Sequence, residues 1–148
     1  MTLREIGVNA ERQWKKILER TGQIVTRAPG SGIAPECFYD LMSFDQTGRG
    51  YLWEIKSTKH STKYFHENEL ENITRLALAH KTHNVFSFLV ILYRTAGRFK
   101  VYRPTQALKY KKIAFKDKGE TWFAPQYGAY RKTREQPATA SSPEAPQV

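Results

Sequence analysis

The chain has 148 residues and a net charge of +10, from 24 Lys and Arg against 14 Asp and Glu. That length allows one domain with its own core, and 40% hydrophobic residues with 3 Trp, 8 Tyr and 8 Phe exclude an intrinsically disordered chain. A single cysteine, Cys37, excludes an internal disulfide framework and a cysteine-rich zinc site.

In chain order, Asn9 reads as a helix cap, and the helix it would open is expected to run to about Arg20. Ala10, Trp14, Ile17, Leu18 and Thr21 share one face of it, and Gly22 stops it. Gln23-Ile24-Val25-Thr26 reads as a short strand, and the Gly- and Pro-rich stretch from Ala28 to Pro35 as a loop. Two strands follow, Phe38-Tyr39-Asp40-Leu41-Met42 and Tyr51-Leu52-Trp53-Glu54-Ile55-Lys56. Between them, Asp45-Gln46-Thr47-Gly48-Arg49-Gly50 has the composition of a hairpin turn. Ser57 to His66 is a polar connection. A second helix spans Glu67 to about Lys81, with Leu70, Ile73, Ala77 and Leu78 as its apolar stripe. Phe86 to Tyr93 alternates little, as expected of a strand buried on both faces. Thr95 to Arg98 turns the chain into Phe99-Lys100-Val101-Tyr102.

The order α-β-β-β-α-β-β, with Tyr51–Thr58, helix and Phe86–Tyr93 as a βαβ crossover, predicts an α/β fold: a mixed sheet flanked by helices. Beyond Pro104 the pattern weakens. Ala107 to Tyr110 has a helical composition, and Thr121-Trp122-Phe123 reads as a short strand or an apolar anchor. Residues 1–134 are expected to form the domain, with its core at about 5–103. The tail 135–148 holds three of the 7 prolines and no Lys or Arg, and is expected to be disordered. Its two Glu leave the body to Arg134 at +12. Such a body points to a polyanion, most often nucleic acid, although a generic basic protein shares the trait. The start, Met1-Thr2-Leu3-Arg4-Glu5, lacks a signal-peptide apolar segment, and Phe86–Tyr93 is too short to span a bilayer. The expectation is a soluble, intracellular protein without a membrane partner.

The ionisable residues inside the two motif strands carry the chemistry. Strand side chains alternate, so Glu54 and Lys56 share a face while Trp53 and Ile55 take the other. In an antiparallel hairpin, Asp40 opposite Glu54 centres the turn on residue 47, which is where the polar, glycine-bearing stretch lies. Opposed Cβ atoms are about 4.5–5.5 Å apart, close enough for two carboxylates to share one ion. Phosphodiester hydrolysis needs an activated water and neutralised phosphate charge, and a carboxylate-bound Mg²⁺, or Mn²⁺ in its place, supplies both. Asp40 and Glu54 are the predicted ligands, joined by the Ile55 carbonyl, and Lys56 is suited to orient water or stabilise transition-state charge. An acid-x-lysine pair alone is most often a surface salt bridge; Asp40 in matching register argues against that here. Glu36 is a rival for the first acidic position, but it lies outside the apolar run and off the register.

Glu11 reads either as a solvated helix residue paired with Lys15 or as a third acid of the metal site. Arg12, Arg27, Ser31, Arg49, Lys59 and Lys63 fall on or near the expected surrounding loops, where they would contact phosphates. Ser31, in Gly30-Ser31-Gly32, belongs to no Walker motif. His60, His66, His80 and His83 lack the company of a zinc site.

Taken together, Gly7-x-x-Ala10-Glu11-Arg12, Leu18-Glu19-x-x-Gly22, Val25-x-Arg27-x-x-Gly30-Ser31, Asp40-Leu41 and Glu54-Ile55-Lys56-Ser57-Thr58-Lys59 resemble a known pattern. It is that of the archaeal-type Holliday junction resolvases of the PD-(D/E)XK nuclease superfamily, over about residues 5–103. The resemblance implies a restriction-endonuclease-like αβββαβ core. It implies metal binding by Asp40 and Glu54, catalysis by Lys56, and support of the metal by Glu11 through water. Arg12, Arg27 and Ser31 match positions that handle DNA or surround the site, and Ser57 and Lys59 extend that set. A homodimer cutting opposed strands of a four-way DNA junction symmetrically is implied, in recombination or repair. The location implied is the cytoplasm, with the nucleoid, or a host's if the source is viral. Three departures stand out: Tyr39 takes the place of the usual proline before the aspartate, Gly32 to Cys37 lengthen the loop, and the region after Pro104 with the tail has no counterpart in the pattern. The alternatives are a nuclease of the same superfamily acting on another DNA substrate, and a non-catalytic DNA-binding module.

Overall fold

A computed structural model describes residues 1–28 and 37–120 of the chain. Ten elements follow in order: α1 (Leu3–Arg20), β1 (Ile24–Arg27), β2 (Leu41–Phe44), β3 (Gly50–Thr58), β4 (Thr62–Tyr64), α2 (Glu67–His83), β5 (Phe86–Tyr93), β6 (Arg98–Tyr102), α3 (Pro104–Tyr110) and β7 (Lys112–Ala114). The main sheet runs β1-β2-β3-β5-β6; only the β3–β5 pair is parallel. It is therefore the mixed sheet flanked by helices that the element order predicts.

Helix α1 begins six residues before the expected Asn9 cap. Thr2 is the cap: its Oγ1 accepts from Glu5 N at 3.1 Å, and Glu5 Oε2 accepts from Thr2 N at 2.8 Å. This reciprocal pair satisfies two otherwise orphaned donors, so the helix starts there and Asn9 lies inside it. Gly22, at φ +92°, turns the chain from α1 into β1.

The β2–β3 hairpin has the predicted register. Leu41 pairs with Trp53 and Met42 with Leu52, about a turn in which Gly48 adopts φ +86°. Asp45 organises that turn: Oδ1 accepts from Thr47 N at 2.9 Å and Arg49 N at 3.0 Å, and Oδ2 accepts from Tyr51 OH at 2.8 Å. The first motif strand is shifted, however. It covers Leu41–Phe44, and Phe38 and Tyr39 instead pack beside Leu52, Leu76 and Ala79. Asp40 ends the ladder because its side chain takes over from the backbone: Asp40 N donates to Trp53 O at 2.8 Å, and its Oδ2 receives the next donor, Ile55 N, at 2.8 Å.

The expected polar connection after residue 56 is also more ordered than its composition indicates. β3 ends at Thr58, the bound expected of the crossover strand, and within the connection β4 pairs with β7 about 50 residues later in a separate two-stranded sheet. Helix α3 extends the helical stretch expected at Ala107–Tyr110 back to Pro104, which fits the first helical turn because it lacks an N–H.

Two apolar layers hold the sheet. On one face, Trp14, Ile17 and Leu18 of α1 pack on Leu41, Tyr51, Trp53, Ile55, Phe88 and Val90. Trp14 meets Trp53 edge-on, with ring centroids 5.5 Å apart. On the other, α2, α3 and β7 bury Leu89, Ile91, Tyr93 and Tyr102 with Ile73, Ala107 and Ile113. Each large aliphatic side chain buried this way stabilises the fold by roughly 1.5–3 kcal/mol. Among the described residues no helix is long and apolar enough to cross a membrane. Thr121-Trp122-Phe123 and the tail lie outside the described residues.

Candidate active site

The two layers divide the side chains of β3. Trp53 and Ile55 enter the α1 core, so Leu52, Glu54 and Lys56 face α2. Glu54 is thereby held at 7% exposure in a sheet whose neighbouring strand, β5, is wholly apolar around it. A buried carboxylate at such a place needs charge partners.

Asp40 provides charge of the same sign. The hairpin register sets it across from Glu54, and the two carboxyl groups lie in hydrogen-bond contact. Burial, and then the Asp40 charge, push the Glu54 pKa up to about 8, although Lys56 pulls the other way. Lys56 Nζ is 3.1 Å from Glu54 Oε2 and 3.5 Å from Glu69 Oε2. Burial pulls the Lys56 ammonium down, but Glu54, Glu69 and Asp40 together outweigh it, and its pKa is raised.

Glu11 approaches from α1. Its Oε1 accepts from Arg27 Nε at 3.0 Å, so α1 and β1 are tied at this corner. Burial, with the Asp40 charge next, raises the Glu11 pKa against the pull of Arg27 and Lys56. Lys15, the alternative partner, pairs with Glu19 instead, at 2.8 Å.

Three carboxylates thus meet at one end of the β2–β3 pair, and two of them, Glu54 and Glu11, have pKa values raised by burial first and by the Asp40 charge second. Like charges held this close are the electrostatic setting that a cation relieves. The donors are hard oxygens, the type Mg²⁺ and Mn²⁺ take. Among the described residues no group of three or more His, Cys, Asp and Glu side chains is placed to hold a metal ion. The arrangement fits a hydrated ion held by a pair of carboxylates.

The predicted surrounding residues divide into two sets. Arg27 is beside Glu11, and Arg12 is exposed on the next position of α1. Ser57 follows Lys56 on β3, and its buried Oγ has no hydrogen-bond partner among the described residues. Lys59 is exposed past the end of β3, and Lys63, on β4, reaches Glu69 at 3.2 Å. Arg49 is elsewhere. It lies at the hairpin end, five residues from Glu54 or about 16 Å along the strand, with its guanidinium 5.2 Å from the Phe86 ring centroid. The expectation that Arg49 borders the site is corrected: the turn is at the opposite end of the hairpin from the carboxylates. Ser31 and Glu36 lie outside the described residues. His80 Nδ1 contacts Val85 O at 2.7 Å and His83 Nδ1 contacts Thr82 Oγ1 at 2.7 Å, which accounts for both locally.

Sequence reasoning missed Glu69. It sits three residues after the α2 cap, and its Oε1 accepts from His66 N at 3.0 Å while its Oε2 reaches Lys56 and Lys63. Burial raises its pKa, but the His66 N–H and the two lysines outweigh that and hold it low. The His66-x-x-Glu69 spacing before an apolar stripe was the available signal.

A family model described as archaeal Holliday junction resolvase matches residues 2–124. Among solved structures, that of a Holliday junction resolvase from Archaeoglobus fulgidus, an archaeal hyperthermophile, is 22% identical. The alignment covers 70% of this chain and 83% of that one, with a TM-score of 0.55. A bacterial homing endonuclease is 15% identical, with coverage of 100% and 99% and a TM-score of 0.54. Both share the restriction-endonuclease-like fold. No curated protein sequence matches significantly.

Proposed function

The chain belongs to the archaeal Holliday junction resolvase family, a family of nucleases acting on DNA junctions, and on that premise we propose how it cuts. The reading is a metal-dependent endodeoxyribonuclease that makes paired, symmetric nicks in four-way junctions through Asp40, Glu54 and Lys56. The observation that carries it is the contact between the Asp40 and Glu54 carboxyls, with the Lys56 ammonium 3.1 Å from one of them.

Asp40, Glu54 and the Ile55 carbonyl would hold Mg²⁺ or Mn²⁺, with Glu11 reaching it through water. When bound, the ion lowers the pKa of a water and neutralises phosphate oxygens. Lys56 stays protonated in this setting and is the group that stabilises negative charge growing on the scissile phosphate. Asp40 contributes twice, since its Oδ2 also accepts from Ile55 N and so fixes the strand from which the Ile55 carbonyl projects. Glu11 holds Arg27 beside the site. Arg27, Arg12, Ser57, Lys59 and Lys63 would contact DNA phosphates, which gives affinity without base specificity. Resolution needs two matched cuts, so the reading includes a homodimer whose twofold axis matches that of the junction. The working location in this reading is the cytoplasm, where DNA is accessible without a membrane anchor.

The test uses a labelled synthetic four-way junction beside a matched linear duplex, with Mg²⁺ or with chelator. Paired symmetric nicks in the junction alone, abolished by chelator, support the reading. Equal cutting of both substrates would replace it with a general nuclease. Tight binding without cutting in Mg²⁺ or Mn²⁺ would replace it with a binding module.

A further inference from the structure

Glu69 makes more contacts than a helix cap requires. Its Oε1 closes the capping box by accepting from His66 N at 3.0 Å. Its Oε2 is 3.5 Å from Lys56 Nζ and 3.2 Å from Lys63 Nζ, and the side chain is only 17% exposed. One carboxylate thus joins the start of α2 to a lysine on β3 and another on β4.

Lys56 is a flexible four-carbon chain, and fixing its ammonium costs side-chain entropy. Glu54, two residues away on the same strand, is its nearer anion at 3.1 Å. In the proposed mechanism, however, the Glu54 carboxylate is committed to the metal, and its hold on Lys56 weakens when the ion is bound. Glu69 has no such second duty toward the ion. We propose that Glu69 is the positioning residue for Lys56: it holds the ammonium at the site while Glu54 and Asp40 serve the metal. Its anchorage explains why it can do so. The His66 N–H fixes one oxygen, and α2 is packed on the sheet through Ile73 and Leu76, so the other oxygen is presented in a set direction. The inference rests on the proposed role of Lys56.

Glu69→Gln is the informative variant, because the amide oxygen still accepts from His66 N and only the charge is lost. Glu69→Ala removes cap and charge together. With saturating enzyme and Mg²⁺, E69Q should lower the single-turnover rate on a four-way junction at least 10-fold. Metal-free junction affinity should stay within 2-fold and thermal stability near that of the wild type. A direct readout needs no cutting: the Lys56 Nζ–Hζ NMR cross-peak, in protein with Mg²⁺ and no DNA, should be present in the wild type and lost in E69Q. A wild-type rate in E69Q, a cross-peak that survives the substitution, or no cross-peak in either protein would each reduce Glu69 to a helix cap. Tighter junction binding at an unchanged rate would make it a repulsive surface charge. Lys56→Ala separates the two levels: normal cutting by K56A would overturn the reading of the site itself, whereas a dead K56A beside a fully active E69Q would overturn only this inference.

Discussion

Replacing Glu54 by Gln keeps the shape of the side chain beside Asp40 and removes its ionisation, which should alter how stability depends on pH. The Glu54 pKa is about 8 in the folded, metal-free protein against 4.5 for the ordinary group. Between those values the folded state binds more protons than the unfolded chain, so stability falls as pH rises. The stabilisation is fully present below the unfolded value, declines by about 1.4 kcal/mol per pH unit through the window, and is gone above the folded value. Over the window this amounts to roughly 3–5 kcal/mol, or a drop of order 10 °C in melting temperature for a chain of this size. The assay is thermal melting of wild type and E54Q in chelator from pH 5 to 9. The difference between them reports Glu54 together with the charges in contact with it, Asp40 and Lys56, while titrating groups remote from the site cancel. The two should be close at pH 5, and E54Q should be the more stable at pH 9. Saturating Mg²⁺ should restore the wild type at pH 9 and do little for E54Q. Parallel melting curves across the range would refute the argument that Glu54 is crowded by burial and by Asp40.

Asp40→Asn should abolish cutting while metal-free junction binding is kept or tightened, since a charge facing phosphate is lost; persistent cutting would show the site is misassigned. Glu11→Gln should slow cleavage by roughly 10–100-fold, the usual effect of a group that orients a metal site from outside, and gel-based rates would detect it. An unchanged rate would return Glu11 to a purely structural pair with Arg27. Trp14→Ala should cost about 3–5 kcal/mol in denaturant unfolding, because Trp14 is fully buried between α1 and the sheet.

The hairpin that carries the site was legible because every determinant is local. Asp45 and Gly48 fix the turn, the turn fixes the register, and alternation puts Glu54 and Lys56 on one face. The β5 strand was legible in its length and lack of alternation, and its parallel neighbour followed from the helix between them. The start of α1 was misread because Asn9 is a plausible cap, and the choice between it and Thr2 turns on the reciprocal bond with Glu5. The β4–β7 sheet was invisible for a different reason: two three-residue strands far apart in sequence carry no periodicity. Arg49 was counted with the site because sequence proximity to Glu54 hides the direction of the strand, which carries it to the opposite end. Glu69 was passed over because a glutamate in the first turn of a helix is already explained by capping, and only the folded arrangement brings two lysines to it.

The central claim is that Asp40 and Glu54 together hold the metal, and it can be tested without any DNA. Fe²⁺ added to the protein generates hydroxyl radicals with ascorbate and peroxide, and these cut the polypeptide wherever the ion binds. The account predicts fragments ending near Asp40 and near Glu54–Ile55, competed away by Mg²⁺ and absent in D40N. Cleavage concentrated elsewhere, such as at His80 and His83, or a pattern unchanged in D40N, would contradict it.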